Sequence, residues 1–426
     1  MKIAIIGSGI AGNVAAYHLN REHDITVFEQ NSHVGGHTHT HRISDAGGEL
    51  NIDTGFIVLN DRTYPNFNSL LQELEVDIQN TEMSFSVKCQ QTGLEYNGNN
   101  LDTLFAQRRN IVNPAFYRMI GDILRFNREA TEYVQQEKDG QSLGDFLQHG
   151  RYSKIFINKY IVPMGAAIWS SRPEDMFRFP ARFFFRFFLN HGLLSVNNRP
   201  QWHVIKGGSN NYVKKLIRDF RHRVRTDCPV EKIVRYNDHV EIHSRNHGIE
   251  KFDYVFIASH SDQALRMLQQ PSPLEKATLS AIEYQRNEAV LHTDTSLLPL
   301  RKKAWASWNY HIPKQERSLV ALTYNMNILQ GLQSDNTYCV TLNYSDQIDP
   351  QKIIKTIEYD HPVFTPESIN AQENHRLING TGRTYYCGAY WHNGFHEDGV
   401  VSALSALLHF KQDIRYEQKL SLRRAG

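Results

Sequence analysis

The chain opens on a short apolar run, Lys2–Ile6, that stops at a glycine. Such a run, with no polar alternation, predicts a strand buried on both faces of a parallel sheet. Residues 10–20 then space their apolar side chains as a helix does, and 25–28 is a second apolar run, so the chain begins with a strand–helix–strand unit of about 30 residues. Two later runs, 254–258 and 383–387, have the same character and are candidates to rejoin that sheet. Between 101 and 190 the pattern is helical. From 283 to 343 it changes to short runs, AVLHT, AWASWNYHI, SLVALTYNM and TYCVTLNY, separated by polar turns, which predict an antiparallel sheet.

The first turn carries the sharpest signal. Gly7-Ser8-Gly9-Ile10-Ala11-Gly12 sits between the strand and the helix. In such a turn the first glycine allows the bend, the second lets the backbone approach a pyrophosphate, and the third allows helix and strand to touch. The helix start then offers free N–H groups and a partial positive charge. Glu29, followed by Gln30, ends the second strand, where an acid binds a ribose hydroxyl pair and disfavours a 2′-phosphate. One nucleotide motif, with no second for a nicotinamide donor, favours FAD over NAD. The predicted fold is α/β: a discontinuous Rossmann-type FAD-binding domain of 1–80, 200–280 and 350–426, with an inserted substrate domain of antiparallel sheet plus helices from 81–199 and 281–349.

Composition narrows the rest. Of 426 residues, 40% are apolar and 22% charged, enough to bury a large core. A net charge of +2 gives no field that would argue for a nucleic-acid partner. Cys89, Cys228, Cys339 and Cys387 are scattered without a C-x-x-C pair, which speaks against zinc or a disulfide framework and suits a reducing compartment. The opening MKIAIIGSGI lacks a cleavage site and is read as a strand, not a signal peptide. No apolar run approaches the roughly 18 residues of a membrane span. The expected location is the cytoplasm, and the basic tail 418–426 is expected to fray.

Further motifs resemble a known family. Gly35-Gly36-His37-Thr38 resembles the glycine pair that follows the ribose-binding acid in the amine oxidase and phytoene desaturase superfamily of FAD proteins. Asp53-Thr54-Gly55-Phe56 resembles its segment beside the flavin, and Val204-Ile205-Lys206-Gly207-Gly208-Ser209 its glycine pair before a helix. Pro229-Val230 resembles its adenine-packing strand; Cys387-Gly388-Ala389 with Glu397-Asp398-Gly399-Val400 resembles its C-terminal flavin-binding strand and helix. FPARFFFRFFLNHGLL, RPQWHVIKGGS and HEDGVVSAL are similar to a bacterial branch associated with cyclopropane fatty acyl lipid enzymes. The resemblance implies FAD held by Thr38, Thr54, Gly55, Phe56, Val230, Gly388, Ala389, Glu397, Gly399 and Val400 as well as the first turn and Gly35, Gly36 and His37. It implies redox or desaturation chemistry on an apolar, lipid or fatty acyl substrate. Residues 400–410 read as a helix N-capped by Asp398, its positive end able to stabilise reduced flavin.

Two departures stand out. His37 occupies the place of the family's arginine, as a weaker and titratable phosphate partner. No lysine occurs from Ala277 to Leu300, on the strand where amine oxidases carry their flavin-bridging lysine, so an amine oxidase mechanism is disfavoured.

Other constellations read in two ways. His37, His39 and His41 would share one face of an extended segment; with no carboxylate or cysteine to complete a set, packing or phosphate contact is preferred over a metal. Tyr390, Trp391, His392 and His396 either wall the flavin or pack in the core, and Tyr390 and His392 are the candidate catalytic groups. Trp305, Trp308 and Tyr310 are placed on one face of a strand. Phe183, Phe184, Phe187 and Phe188, with Arg182 and Arg186, form a helical stripe after Pro180, read as core with a peripheral membrane contact as the alternative. The expected activity is an oxidase, dehydrogenase or desaturase; a flavin-dependent isomerase or an accessory subunit of a lipid-modifying complex remain as alternatives.

Overall fold

A computed structural model describes residues 1–425 apart from 137–139, 196 and 198; the side chains of 417–425, and with them the basic tail 418–426, lie outside the described residues. Five parallel strands form one sheet in the order Val224–Arg225, Asp24–Phe28, Lys2–Ile6, Tyr254–Ile257, Thr384–Tyr386. Both later apolar runs thus rejoin the sheet of the N-terminal strand, Tyr254–Ile257 beside it and Thr384–Tyr386 at the edge beyond. The sheet is apolar on both faces because both are covered. On one, the helices Ile10–Leu19 and His396–Ala425 pack Val14, Ala15, Ala403 and Phe410 against Ile3, Ile5 and Tyr385. On the other, an antiparallel meander, Val230–Arg235, Val240–Ser244 and Gly248–Phe252, packs Ile233 and Ile242 against Ala4, Ile6 and Val255.

The second large sheet has seven strands, in the order Ile353–Pro362, Tyr284–His292, Cys339–Leu342, Ala321–Asn325, Trp308–Ile312, Phe85–Cys89, Leu94–Asn97. It differs from expectation in three respects. It is mixed, because Trp308–Ile312 runs parallel to Phe85–Cys89. It takes in Ile353–Pro362, which pairs along Tyr284–His292, so the boundary expected at 350 falls after residue 362. And Trp305 lies outside the strand that carries Trp308 and Tyr310; its indole donates to the Pro299 carbonyl at 2.8 Å.

Helices Pro114–Gln135, Leu143–His149, Val162–Trp169 and Ala181–Asn190 cover this sheet. The phenylalanine stripe is core. Phe184, Phe187 and Phe188 are buried, with the rings of Phe184 and Phe188 stacked at 4.2 Å, so this helix offers no apolar face to a membrane. Among the described residues no helix is long and apolar enough to cross one.

Candidate functional site

The carboxyl ends of the central parallel strands open on a cavity of about 930 Å³ that continues beneath the seven-stranded sheet. Ligands of open α/β sheets bind at this end, and the volume is at the upper limit of ordinary ligand sites.

One arm is built by the first turn. Gly7 adopts φ of 100°, and a Cβ at Gly12 would lie 2.0 Å from the Gly7 carbonyl oxygen, so both positions require glycine. A Cβ at Gly9 would meet no atom within 4 Å: the turn faces open cavity there. The helix that follows has no side-chain cap and no acid in its first turn, leaving its first N–H groups for an anion. Glu29 is preset beside it. One carboxylate oxygen accepts the Ser8 amide and hydroxyl at 2.9 and 2.6 Å; the other accepts the Asn31 amide and side chain at 2.9 and 3.0 Å. Ser8 also receives the Gly35 amide at 3.4 Å, tying the second glycine pair to the first turn. An uncapped helix start, a glycine facing open space and a preset acid together fit a dinucleotide of pyrophosphate and ribose.

Most of the expected cofactor residues line this cavity. Gly7, Gly9, Ile10, Ala11, Glu29 and Gln30 line it from the first two strands. Gly35, Gly36, His37, Gly55 and Phe56 line it from the next segment, and Val230, Gly388, Ala389 and Tyr390 from later in the chain. Others stand behind the wall. Gly12 and Gly399 are sites of close helix contact, Gly399 against Ile10, and Val400 is packed in the core. Thr38 bonds the Tyr212 hydroxyl at 2.6 Å, and Thr54 the Tyr359 hydroxyl at 2.9 Å and His41 Nε2 at 3.0 Å. Glu397 turns away, its carboxylate accepting the Asn66 and Phe67 amides at the start of helix Pro65–Glu73. Asp398 is not the N-cap: its helix begins at His396, and Asp398 reaches back to accept the Phe395 amide at 2.8 Å. His392 lies outside the cavity lining, because the short helix Ala389–Trp391 turns Tyr390 into the wall and carries His392 past it.

Sequence reasoning missed a cluster of rings at the junction of the two sheets. His37 stacks on Tyr359 at 5.0 Å and lies 5.4 Å from His361, while His260 stacks on Tyr284 at 4.3 Å. Burial first, then the neighbouring imidazoles, hold His37 well below its usual pKa, and burial pushes His361 down to about 4. Burial thus favours the neutral imidazole at His37, where a titratable phosphate partner was expected. Its ring bonds the Asp360 backbone in the sense that favours its proton, and its buried Nε2 has no partner. That tautomer leaves Nε2 an acceptor, suited to a hydroxyl such as that of a ribityl chain. His260 precedes the helix Ser261–Met267, whereas Tyr284 and His361 sit on paired strands, so no local motif marks them and only the assembled fold brings them together. His39 stacks on His33 at 4.1 Å and packs at a tilt against His41, and no group of three metal-ligating side chains is assembled among the described residues.

The second arm is apolar and aromatic. Met164, Ile168 and Trp169 line it from one helix, Phe187 from the next, and Phe85, Trp308 and Tyr324 from the seven-stranded sheet. Of the stripe, only Phe187 reaches the cavity. The buried indole nitrogen of Trp169 and hydroxyl of Tyr390 have no partner. Among the described lining residues there is no lysine; the cations are Arg266, beside Met267 and Val230, and Arg199, beside Trp202.

The family model for flavin-containing amine oxidoreductases matches residues 10–298. A flavin-dependent L-tryptophan oxidase from Lentzea aerocolonigenes is 38% identical over 55 residues, which cover 13% of this chain and 12% of that protein. Among solved structures, cyclohexylamine oxidase from Brevibacterium oxydans superposes with a TM-score of 0.70 at 13% identity, over 97% of this chain and 99% of the other. A fatty acid isomerase from P. acnes superposes with a TM-score of 0.69 at 15% identity, over 96% and 98%. At these identities the structural likenesses speak to the fold.

Proposed function

Because the chain belongs to the flavin-containing amine oxidoreductase family, and is an FAD-dependent oxidoreductase, we propose that it acts on an apolar substrate, a fatty acyl chain, rather than on an amine. The observation that carries this reading is the second arm of the cavity: aromatic and apolar walls, no lysine, and Arg199 as its one cation among the described residues. Such walls solvate a hydrocarbon chain, and a guanidinium suits its carboxylate.

The first turn, Glu29 and Gly36 would hold the pyrophosphate and ribose of FAD, and Gly388, Ala389 and Tyr390 would border its ring. When bound, FAD supplies a two-electron acceptor. The protein's own residues do the rest. Tyr390, Trp169 and Phe187 exclude water and orient the chain. His37, held neutral, accepts a hydrogen bond at Nε2. The start of helix His396–Ala425 brings its positive end to a cavity wall that includes Asn393 and His396, where it stabilises negative charge.

Isomerisation without net redox is the second reading, supported by neutral imidazoles grouped in a closed part of the site, where protons can be moved without loss to solvent. The deciding experiment is an anaerobic absorbance titration of the yellow holoenzyme with unsaturated fatty acids and, separately, primary amines. Bleaching by a fatty acid supports the oxidoreductase reading; an altered fatty acid without bleaching supports isomerisation. Bleaching by amines alone overturns both.

A further inference from the structure

A patch of exposed apolar side chains ringed by cations lies beside the aromatic arm of the cavity. Leu101, Val112 and Leu300 are 76, 82 and 82% exposed, and Ile111 and Tyr117 are each 49% exposed. Large aliphatic side chains this open to water are costly when they cluster, and clusters mark contact surfaces. Three fixings hold the patch together. Lys303 and Arg108 both bond Asp102, the former at 2.9 Å. The Leu300 amide donates to the Glu95 carboxylate at 2.8 Å, and the Glu95 amide to Gln107 at 3.0 Å. The ring of Phe105 meets that of Tyr117 at 5.9 Å.

The charge around these side chains is one-sided. Arg108, Arg109, Arg118, Arg301, Lys302 and Lys303 are all exposed, whereas the acids paired with them are Asp102 and the buried Glu95. The patch also adjoins the site: Tyr96, Gly98 and Asn99 line the cavity, and Leu101 follows two residues later.

We propose that this surface docks on an anionic phospholipid bilayer, its aliphatic side chains entering the interface and its cations meeting lipid phosphates. Two signals, apolar insertion and basic attraction, are what reversible interfacial binding needs. Basic residues alone would equally suit other polyanions, but aliphatic side chains at the tip of a basic ring match a surface that is charged outside and hydrocarbon within. The phenylalanine helix, which is core, takes no part. The purpose of docking rests on the acyl-substrate reading above, since a membrane-held chain would reach the aromatic arm without crossing water. The docking itself is measured without turnover.

The test is co-sedimentation of the FAD-loaded protein with vesicles of phosphatidylcholine alone and of phosphatidylcholine mixed equally with phosphatidylglycerol. Binding to the mixed vesicles, weakened by salt, is expected. Val112→Asp with Leu300→Asp should lower it by at least about tenfold, and Arg109→Glu with Arg118→Glu likewise. All four positions are exposed, so folding and flavin content should be unchanged. Absence of binding to either vesicle, or binding that the variants do not alter, overturns the proposal. So does concentration-dependent self-association in sedimentation velocity that the Val112 and Leu300 changes abolish, which would assign the patch to a second copy of the chain. If vesicles bind but lipids neither reduce the flavin nor are themselves altered, docking stands and the substrate reading falls.

Discussion

The carboxylate of Glu397 accepts the backbone amide of Phe67 at 2.8 Å, and its other oxygen takes the amide and side chain of Asn66 at 3.0 and 2.7 Å. A buried acid near the C-terminal end of the fold thus caps the helix Pro65–Glu73, satisfying N–H groups that the helix cannot satisfy itself. Glu397→Ala should therefore lower stability by roughly 1–3 kcal/mol, as charged caps do, and leave FAD affinity nearly unchanged. Denaturant unfolding and flavin titration separate the two; a large loss of FAD affinity at wild-type stability would assign Glu397 to the cofactor after all.

Glu29 should behave in the opposite way. Its carboxylate lines the cavity and is already oriented by Ser8 and Asn31. Glu29→Ala removes a charged acceptor from the ribose and should weaken FAD binding by roughly 1.5–3 kcal/mol, or about ten- to a hundredfold. Wild-type affinity in equilibrium flavin titration would show that the acid holds only the turn.

Phe184 and Phe187 sit one turn position apart and face different surroundings. Phe184 is wholly buried in the helical core, whereas Phe187 lines the cavity. Phe184→Asp buries a charge and should unfold the substrate domain. Phe187→Ala should leave a folded, yellow protein with a raised KM for its apolar substrate, measured by flavin reduction. Identical behaviour of the two variants would mean that the aromatic arm is not where the substrate lies.

Burial pushes the Asp398 carboxyl up to about 7, against about 3.9 in an unfolded chain. Between those values the native state keeps a proton that the unfolded state has lost, so stability falls as pH rises from about 4 to about 7. Asp398→Asn should flatten that dependence and gain on the wild type above about pH 7. Asp53, pushed up to about 6, adds a contribution of the same sign over the narrower window from about 4 to about 6. Unfolding midpoints of wild type and variant that stay parallel across this range would refute the assignment.

The flavin should be released by acid precipitation. Cys387 is fully buried, and burial pushes its thiol up to about 12, so it offers no thiolate to the ring. Colour remaining in the pellet would reveal a covalent link.

The parallel sheet and first turn were legible because continuous apolar runs and a glycine turn are local signals. Lys2–Ile6, the first helix and Glu29 can be read within thirty positions of one another. What was hidden depended on pairing between distant segments. Ile353–Pro362 carries Lys355, Glu358 and Asp360, so it does not read as a strand until Tyr284–His292 lies against it. His260, Tyr284 and His361 form no motif in the chain and become a site only when that pairing is made. The bond from Glu397 to the helix Pro65–Glu73 was hidden because a motif position fixes a residue's place along a helix, not the direction its carboxylate takes.

The order of strands in the parallel sheet has a consequence for synthesis. Lys2–Ile6 lies between Asp24–Phe28 and Tyr254–Ile257, and the sheet is finished only by Thr384–Tyr386, synthesised some 380 residues later. At about 5–20 residues per second the first strand waits roughly 20–80 s for its last companion. The nascent glycine turn spends that interval attached to a partial sheet that still lacks the covering helix His396–Ala425, a state prone to aggregation. Flavin capture is then an event of the completed polypeptide, and chains stalled before residue 384 should emerge colourless however much FAD surrounds them.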